Sequence, residues 1–196
     1  MPYSPSPALQ KWRTDRAAAL NSLIAVHGKV VDGRRGRQYA TEHLNQALFI
    51  ALASEFQGYC RDLHDIAVFA ATDGLASSGD PRMVWARAAL IRGRRLSTGN
   101  ASAGALGNDF KFFGMDFWGS VKAMYPAKCS DWSKFLTTMN DTRNAIAHRD
   151  DTKLATITEP LTLRTFKRWR STLNSVTSGT DKVVHAYLQD TIGKSW

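Results

Sequence analysis

The sequence predicts an all-α protein, a compact helical bundle of about five to seven helices with one long central helix. Apolar residues recur at helical spacing along most of the chain, and no segment shows the apolar and polar alternation typical of a strand. With 196 residues, 43% of them hydrophobic, the chain can bury a sizeable core. We therefore expect an extended lead-in at residues 1–7 and a single helical domain at residues 8–196.

The first half of the chain contains two predicted helices. Three prolines at residues 1–7 indicate an extended, poorly ordered start. Residues 8–27 form the first helix, which Gly28 can end. A basic loop follows, and then the long central helix at about residues 38–71. His64 lies opposite the apolar face of that helix, so we expect a surface histidine without a catalytic role.

The second half begins with a helix that Asp80 and Pro81 start and that runs to about Leu96. Residues 97–107 contain three glycines among small side chains and are expected to form a mobile loop. Aromatic residues concentrate at 110–125, where we expect core or dimer interface rather than a surface that stacks on bases.

Two helical segments complete the predicted bundle. An amphipathic helix begins after Pro126, with Ser130 or Asp131 as its cap, and ends just after His148. The last helical region opens near Pro160, and residues 178–180 can interrupt it.

An excess of positive charge points to a polyanionic partner. Lys and Arg total 26 against 17 Asp and Glu, which gives a net charge of +9. The loop at residues 34–37, the helix before residue 97 and the last helical region each contain a cationic cluster that either contacts a nucleic-acid backbone or is simply solvated. The candidate RNA contacts are Arg34, Arg35, Arg37, Arg92, Arg94, Arg95, Lys167, Arg168 and Arg170.

Other features bound the function. Cys60 and Cys129 are the only cysteines and have no metal-type spacing, so two reduced thiols in a cytoplasmic protein are expected. Neither a membrane span nor a signal peptide is expected. The sequence has no HExxH motif, no cluster with metal-ligand spacing and no nucleophile elbow, so no metal or other cofactor is expected.

The most informative stretch is residues 139–150, near the end of the amphipathic helix. Arg143 lies in its apolar stripe together with Trp132 and Met139, where a guanidinium needs an acceptor or a ligand. His148 follows five residues later, about 140° around a straight helix. The two side chains can cooperate only if the helix ends near His148 or if a second subunit completes the site.

The arginine and histidine separated by four residues, with Asn144 directly after Arg143, resemble the signature of the HEPN superfamily. The string Arg-Asn-Ala-Ile-Ala-His at residues 143–148 is especially similar to the RiboL-PSP-HEPN branch. The resemblance implies a compact helical domain, two-fold dimerisation that brings two motifs together, and often metal-independent RNA cleavage. It also implies a bacterial toxin or phage-defence nuclease, held in check by a cognate antitoxin or a neighbouring domain.

The residue types suit RNA cleavage by the neighbouring 2′-hydroxyl, which leaves a 2′,3′-cyclic phosphate. His148 can act as base or acid near neutral pH, and Arg143 can bind phosphate oxygens through two hydrogen bonds. Asn144 can hydrogen-bond the phosphate, the ribose or His148, or it can simply hold the helix end. Each chain supplies one imidazole, so a dimer would provide base and acid from different chains.

Glu55 completes the predicted catalytic set. It lies at the border of the apolar face of the central helix, so we expect it to pair with Arg143 or to orient it. Two alternatives stay open for the motif. One is a purely structural role, with an Arg143–Glu55 ion pair and a histidine that stabilises a helix C-terminus. The other is an inactive HEPN-like module that dimerises and holds RNA or a partner protein.

Overall fold

The computed structural model describes residues 3–31, 39–73 and 80–196, except for the side chains of residues 31, 39 and 40. Within these ranges there are nine helices and no strands, and seven of the helices have at least seven residues. The prediction of an all-α protein is thus confirmed, and the short α4 and α8 add to the expected five to seven helices. The helices are α1 (Pro7–Lys11, continuing through a π-helical turn at Trp12–Arg16 into Ala17–Val31), α2 (Tyr39–Thr72), α3 (Pro81–Arg92), α4 (Arg95–Thr98), α5 (Ala103–Lys111), α6 (Phe117–Met124), α7 (Pro126–Ala147), α8 (Asp151–Thr156) and α9 (Leu163–Ile192).

The central helix α2 is the element around which the others pack. Its contacts include α1, α3, α7 and α9. Side chains on several of its faces are buried, among them Phe49, Phe56 and Tyr59. The Tyr59 hydroxyl donates a hydrogen bond of 2.8 Å to the Thr177 carbonyl of α9. The prediction of one long central helix is confirmed.

Because α2 is surrounded, the prediction of a surface position for His64 is wrong. His64 is fully buried, and its Nε2 lies 3.2 Å from the carbonyl oxygen of Asp109. A carbonyl only accepts, so Nε2 carries the proton and Nδ1 is left without a partner. Burial is the main cause that lowers the pKa of His64. The ring packs edge-on against Phe110, so it belongs to the core.

Residues 3–7 are packed rather than loose, contrary to the prediction of a poorly ordered start, whereas residues 1 and 2 lie outside the described part of the chain. Ser6 caps α1, since its hydroxyl accepts from the Leu9 amide at 3.1 Å. Asp181 of α9 accepts from the Tyr3 hydroxyl at 2.8 Å and from both the amide and the hydroxyl of Ser6. Burial of Asp181 raises the pKa of its carboxyl, and the bonds from Ser6 and Tyr3 act against that rise. These contacts hold residues 3–6 against the last helix.

Residues 97–107 lie largely in two short helices instead of the expected mobile loop. Asp109 is buried, and its carboxylate accepts from the amides of Arg95 and Leu96, both at 2.8 Å, at the start of α4. Ser102 caps α5 by accepting from the Ala105 amide. Gly107 lets α5 approach Trp118, since a Cβ there would lie 3.3 Å from the Trp118 ring.

Several helix boundaries differ from the predicted ones. Helix α1 continues through Gly28 to Val31, and α3 ends at Arg92 rather than near Leu96. Helix α7 begins at Pro126, which suits a first helical turn, so neither Ser130 nor Asp131 caps it. Helix α9 runs unbroken through residues 178–180. At Gly179 a Cβ would lie 2.3 Å from the Trp132 ring, so this glycine makes room on α9 for the Trp132 side chain of α7.

The predicted loop with Arg34, Arg35 and Arg37 lies outside the described residues, as does most of the turn before Asp80. In the described ranges, no helix is long and apolar enough to cross a membrane. Cys60 and Cys129 are both free thiols, and burial raises the pKa of Cys60.

Candidate functional site

Helix α7 positions the motif at its C-terminal end. Its buried face includes Trp132, Leu136, Met139 and Ile146, which confirms the predicted amphipathic pattern. Arg143 is half-buried at the edge of that face. The expected projection of its side chain toward the core is therefore only partly realised, and its guanidinium remains accessible to a ligand.

The side chain of Asn144 orients Arg143. Its Oδ1 accepts a hydrogen bond of 3.2 Å from Nη1 of Arg143 and one of 2.7 Å from Nδ2 of Asn100. Asn100 lies two residues after α4, so the segment after α4 is tied to the motif. Because both bonds use Oδ1, the two amide protons of Asn144 have no partner among the described residues and can bind a ligand. The sequence did not point to Asn100, since its role depends on a long-range contact.

Glu55 does not pair with Arg143, and the prediction that it would is wrong. Its carboxylate accepts from Nη1 of Arg16 at 2.7 Å, and Nη2 of the same guanidinium donates to Asp62 at 2.8 Å. The border position of Glu55 on α2 faces the π-helical turn of α1, which carries Arg16. In the described part of the chain, the only polar partner of Arg143 is Asn144.

His148 lies where α7 ends, as predicted. Its amide donates to the Asn144 carbonyl at 2.9 Å, and its side chain is exposed. Arg149 then adopts a left-handed backbone with φ 51°, and the Asp150 amide reaches back to the Ala145 carbonyl at 2.9 Å. These bonds form a Schellman-type helix end without the usual glycine.

Asp150 is the acidic group next to the motif histidine. Its carboxylate accepts from the Lys153 amide at 3.0 Å and thereby caps α8. That hydrogen bond is the main cause that lowers the pKa of Asp150, and the charge of His148 contributes in the same direction. The backbone just after His148 is thus fixed by the Schellman-type end of α7 and by the Asp150 cap of α8.

The hydrogen bond from the His148 amide to the Asn144 carbonyl keeps the motif close to α-helical geometry up to its histidine. Along such a helix His148 lies about 7.5 Å from Arg143 along the axis and about 140° around it. The two side chains of one chain therefore leave the helix in divergent directions. One copy of the motif gives an arginine and a histidine at the same helix end rather than a closed pocket.

Some of the predicted RNA contacts are buried or bonded to other side chains, and others are exposed without a polar side-chain partner among the described residues. Arg94 is buried and pairs with Asp65, so its predicted contact with RNA is wrong. Arg168 pairs with Glu159, and Arg170 donates to Asn21 at 2.6 Å. Arg92, Arg95 and Lys167 have exposed side chains without a polar side-chain partner among the described residues.

Two exposed aromatic residues lie on or beside α3, the helix that carries Arg92, and sequence reasoning did not predict their exposure. Trp85 is 69% exposed on α3, one heptad before Arg92 and on the same helix face. Phe112 is 51% exposed, and its ring lies beside Gly93, where a Cβ would be 3.5 Å from its Cζ. The other large aromatic residues at 110–125 are mainly core, as expected, with Phe110 and Phe117 fully buried.

In the ranges that the structure describes, no group of three or more His, Cys, Asp or Glu side chains could hold a metal ion. Comparisons with protein-family models, curated proteins and solved structures found no match to this chain.

Proposed function

We propose that this protein is a metal-independent endoribonuclease of the HEPN type, with Arg143, Asn144 and His148 at its active site. The supporting observation is the state of Arg143. Its guanidinium is half-buried, is oriented by Asn144, and has no carboxylate partner among the described residues. An arginine placed in this way has donors available for a phosphate group.

The structural alternative for the motif loses its main support. It required an Arg143–Glu55 ion pair, and Glu55 is engaged by Arg16 instead. A partly desolvated guanidinium without a counter-charge is costly, and an anionic ligand offsets that cost. RNA supplies such an anion at every nucleotide. The resemblance of residues 143–148 to the HEPN motif agrees with this role.

His148 would move the protons of the reaction. Cleavage requires a base that removes the proton of the 2′-hydroxyl and an acid that protonates the departing 5′-oxygen. One chain carries one imidazole at this position, and it diverges from Arg143. Two motifs related by a two-fold axis would supply both imidazoles and both guanidinium groups at one cleft. The proposal therefore includes a homodimer.

The surface formed by Trp85, Arg92, Arg95 and Phe112 is proposed to hold the RNA strand. Its cations suit the phosphates, and its aromatic rings can stack on unpaired bases. The segment from Arg95 leads within five residues to Asn100, which bonds Asn144 of the motif. A bound strand could thus extend along α4 toward Arg143. A DNA strand would bind there without being cut, because it lacks the 2′-hydroxyl nucleophile.

The same surface also favours the second candidate, a HEPN-like module that binds RNA without cleaving it. Both functions predict a dimer and affinity that falls steeply with salt. They differ in the role of His148, which is needed for cleavage and contributes little to binding. From the family resemblance we further propose a toxin or phage-defence setting in the cytoplasm, with a cognate antitoxin or regulatory protein as partner.

Cleavage by purified protein tests the proposal. Wild type, His148→Ala and the exposed control His43→Ala are incubated with a mixed RNA pool in EDTA, and RNA affinity is measured in parallel. We expect wild type and His43→Ala to cleave, and His148→Ala to bind with similar affinity while losing cleavage by at least about a hundredfold. If the RNA stays intact with all three proteins and binding depends on salt, the nuclease proposal is rejected in favour of the RNA-binding module.

A further inference from the structure

A cavity with several polar side chains in its walls lies between α1 and α9, on helices other than the one that carries the Arg143 motif. Its volume is about 310 Å³, and its walls include Trp12, Arg13, Arg170, Asn174 and Ser178. That volume is at the lower end of the range for small-molecule sites. Residues 170, 174 and 178 are spaced by one helical turn each, so their side chains form a row along one face of α9.

The polar groups of this cavity are mainly hydrogen-bond donors. Asn174 Oδ1 accepts from Trp12 Nε1 at 2.9 Å, which orients the amide and leaves its two N–H groups without a described partner. Arg13 donates through Nη2 to the Ser178 hydroxyl at 3.3 Å. Both arginines retain further N–H groups, because a guanidinium has five.

Arg170 is fixed in place by neutral groups, and no carboxylate among the described residues bonds to it. Its Nη1 donates to Asn21 Oδ1 at 2.6 Å and its Nη2 to the Ala17 carbonyl at 3.3 Å, so both partners are neutral. Burial lowers the pKa of Arg170, whereas the carboxylates of Asp62 and Glu55 raise the pKa of Arg16 on the neighbouring α1 turn. Arg16 thus has two carboxylate partners, whereas the partners of Arg170 among the described residues are neutral.

No carboxylate belongs to the described lining of the cavity. Asp181 of α9 is close enough to Arg13 for the arginine charge to lower its pKa, but its oxygens already accept hydrogen bonds from Tyr3 and Ser6. The cavity wall on α1 includes Arg13 in the π-helical turn at residues 12–16. Such turns occur frequently at functional sites, where they displace side chains from regular helical positions.

We propose that this cavity is a binding site for a phosphate group, held by Arg13 and Arg170 with help from Asn174 and Ser178. The two guanidinium groups supply the charge, and the amide and hydroxyl complete the hydrogen bonds to the phosphate oxygens. The size suits a phosphate monoester as large as a nucleotide. The phosphate can come from a free small molecule or from the backbone of RNA. The site is independent of the proposed nuclease activity.

Calorimetric titration of the full chain tests the site, with inorganic phosphate, adenosine monophosphate and a short single-stranded RNA as separate probes. We expect Arg170→Gln to weaken binding of the phosphate probes by about tenfold to a hundredfold, as for loss of a charged hydrogen bond. Arg13→Gln, which changes an exposed side chain and spares the fold, should act in the same direction. Arg164→Gln is the control, because Arg164 is an exposed arginine at the start of α9 that does not line the cavity.

The probes separate the two sources of the phosphate. Affinity for phosphate or the nucleotide that both variants lose assigns the site to a small molecule. Affinity for RNA alone, again lost in both variants, assigns it to the RNA backbone. If no probe binds, or if Arg13→Gln binds every probe as tightly as Arg164→Gln does, the proposal is overturned. Retained RNA cleavage in these variants would leave the proposed nuclease untouched, so the two proposals can fail separately.

Discussion

Glu55 is a residue whose role is expected to be structural. Its carboxylate pairs with Arg16, which keeps a second partner in Asp62. Replacing Glu55 by Gln should lower the free energy of unfolding by about 1–3 kcal/mol, through loss of one charged hydrogen bond. RNA cleavage and affinity should stay within about twofold of wild type. Chemical denaturation and cleavage rates measured on the same preparation check both expectations.

Arg143→Gln is the matched comparison for Glu55→Gln. It removes a guanidinium whose described polar partner is the neutral Asn144, so it should cost little stability while it abolishes cleavage. If Glu55→Gln loses activity as completely as Arg143→Gln does and keeps its stability, Glu55 belongs to the active site after all.

His64 predicts a specific dependence of stability on pH. Burial keeps its folded-state pKa below the unfolded value of about 6.5. The stability that neutral His64 contributes is therefore fully present above pH 6.5 and is lost as the pH falls through the folded-state pKa. Wild type should lose more unfolding free energy between pH 7 and pH 5 than His64→Leu does. Denaturant titrations at several pH values measure the difference.

The exposed His43→Gln variant controls for a general effect of removing a histidine, and it should follow the wild-type pH dependence. Identical slopes for wild type and His64→Leu would contradict a buried neutral imidazole. The Asp109 carbonyl also accepts from the Phe112 amide, so it does not lose its only partner in His64→Leu.

The sequence predicts the positions of some individual residues but not which side chains they contact. Helical periodicity placed His148 at a helix end correctly and Arg143 near the buried face only in part, at its edge, because both placements follow from local spacing. It failed for Glu55 and His64, because α2 is covered on several sides and angular position alone does not say which neighbour covers each side. Asn100 was missed for the same reason, since its contact spans 44 residues.

At the scale of helices, replacing glycine by alanine is expected to have opposite effects on stability at two positions. Gly179→Ala brings a methyl group against the Trp132 ring, and should destabilise by about 1–2 kcal/mol despite the gain in helix propensity. Gly28 lies within α1, and no atom of another described element lies within 4 Å of the position that a Cβ would take, so Gly28→Ala should stabilise by about 0.5–1 kcal/mol. Thermal unfolding of both variants measures the two shifts. Stabilisation by Gly179→Ala would contradict the close packing of the Trp132 ring on Gly179.

Helix boundaries could be predicted where a strong local signal exists. Asp80 and Pro81 start α3 as expected, and the long extent of α2 follows from its apolar spacing. The prediction for residues 97–107 failed because their glycines resemble a loop. The buried carboxylate of Asp109, more than ten residues away, caps α4 and stabilises this region. Such a cap is invisible to local pattern reasoning.

At the scale of the whole molecule, the proposed dimer makes a prediction about mixed chains. If base and acid come from different chains, a dimer of one wild-type and one His148→Ala chain lacks one proton-transfer group. Adding an equal amount of His148→Ala to wild type, with time for subunit exchange, should then lower the total cleavage rate to about half. An unchanged rate would mean that each chain acts by itself. Adding His43→Ala, which should double the rate, is the control.

The fold class followed from the sequence, since helical periodicity along the chain leaves no segment suited to a strand. The proposed homodimer does not follow from helical periodicity, because a two-fold contact would depend on the shape of the folded surface rather than on any one segment. The surface around Trp85 and Phe112 likewise needed the fold. An aromatic residue near cations in the sequence can be core or surface, as the buried Phe110 and the exposed Phe112 show.

The most direct test of RNA cleavage by the Arg143–His148 motif uses a single substrate. A short RNA that contains a mapped cleavage site is compared in EDTA with the same RNA carrying one 2′-deoxy nucleotide at that site, and the product ends are identified by mass spectrometry. We expect 2′,3′-cyclic phosphate ends from the RNA and no cut at the modified position. Equal cleavage of both substrates, or products with 3′-hydroxyl ends, would contradict attack by the 2′-hydroxyl and with it the proposed mechanism.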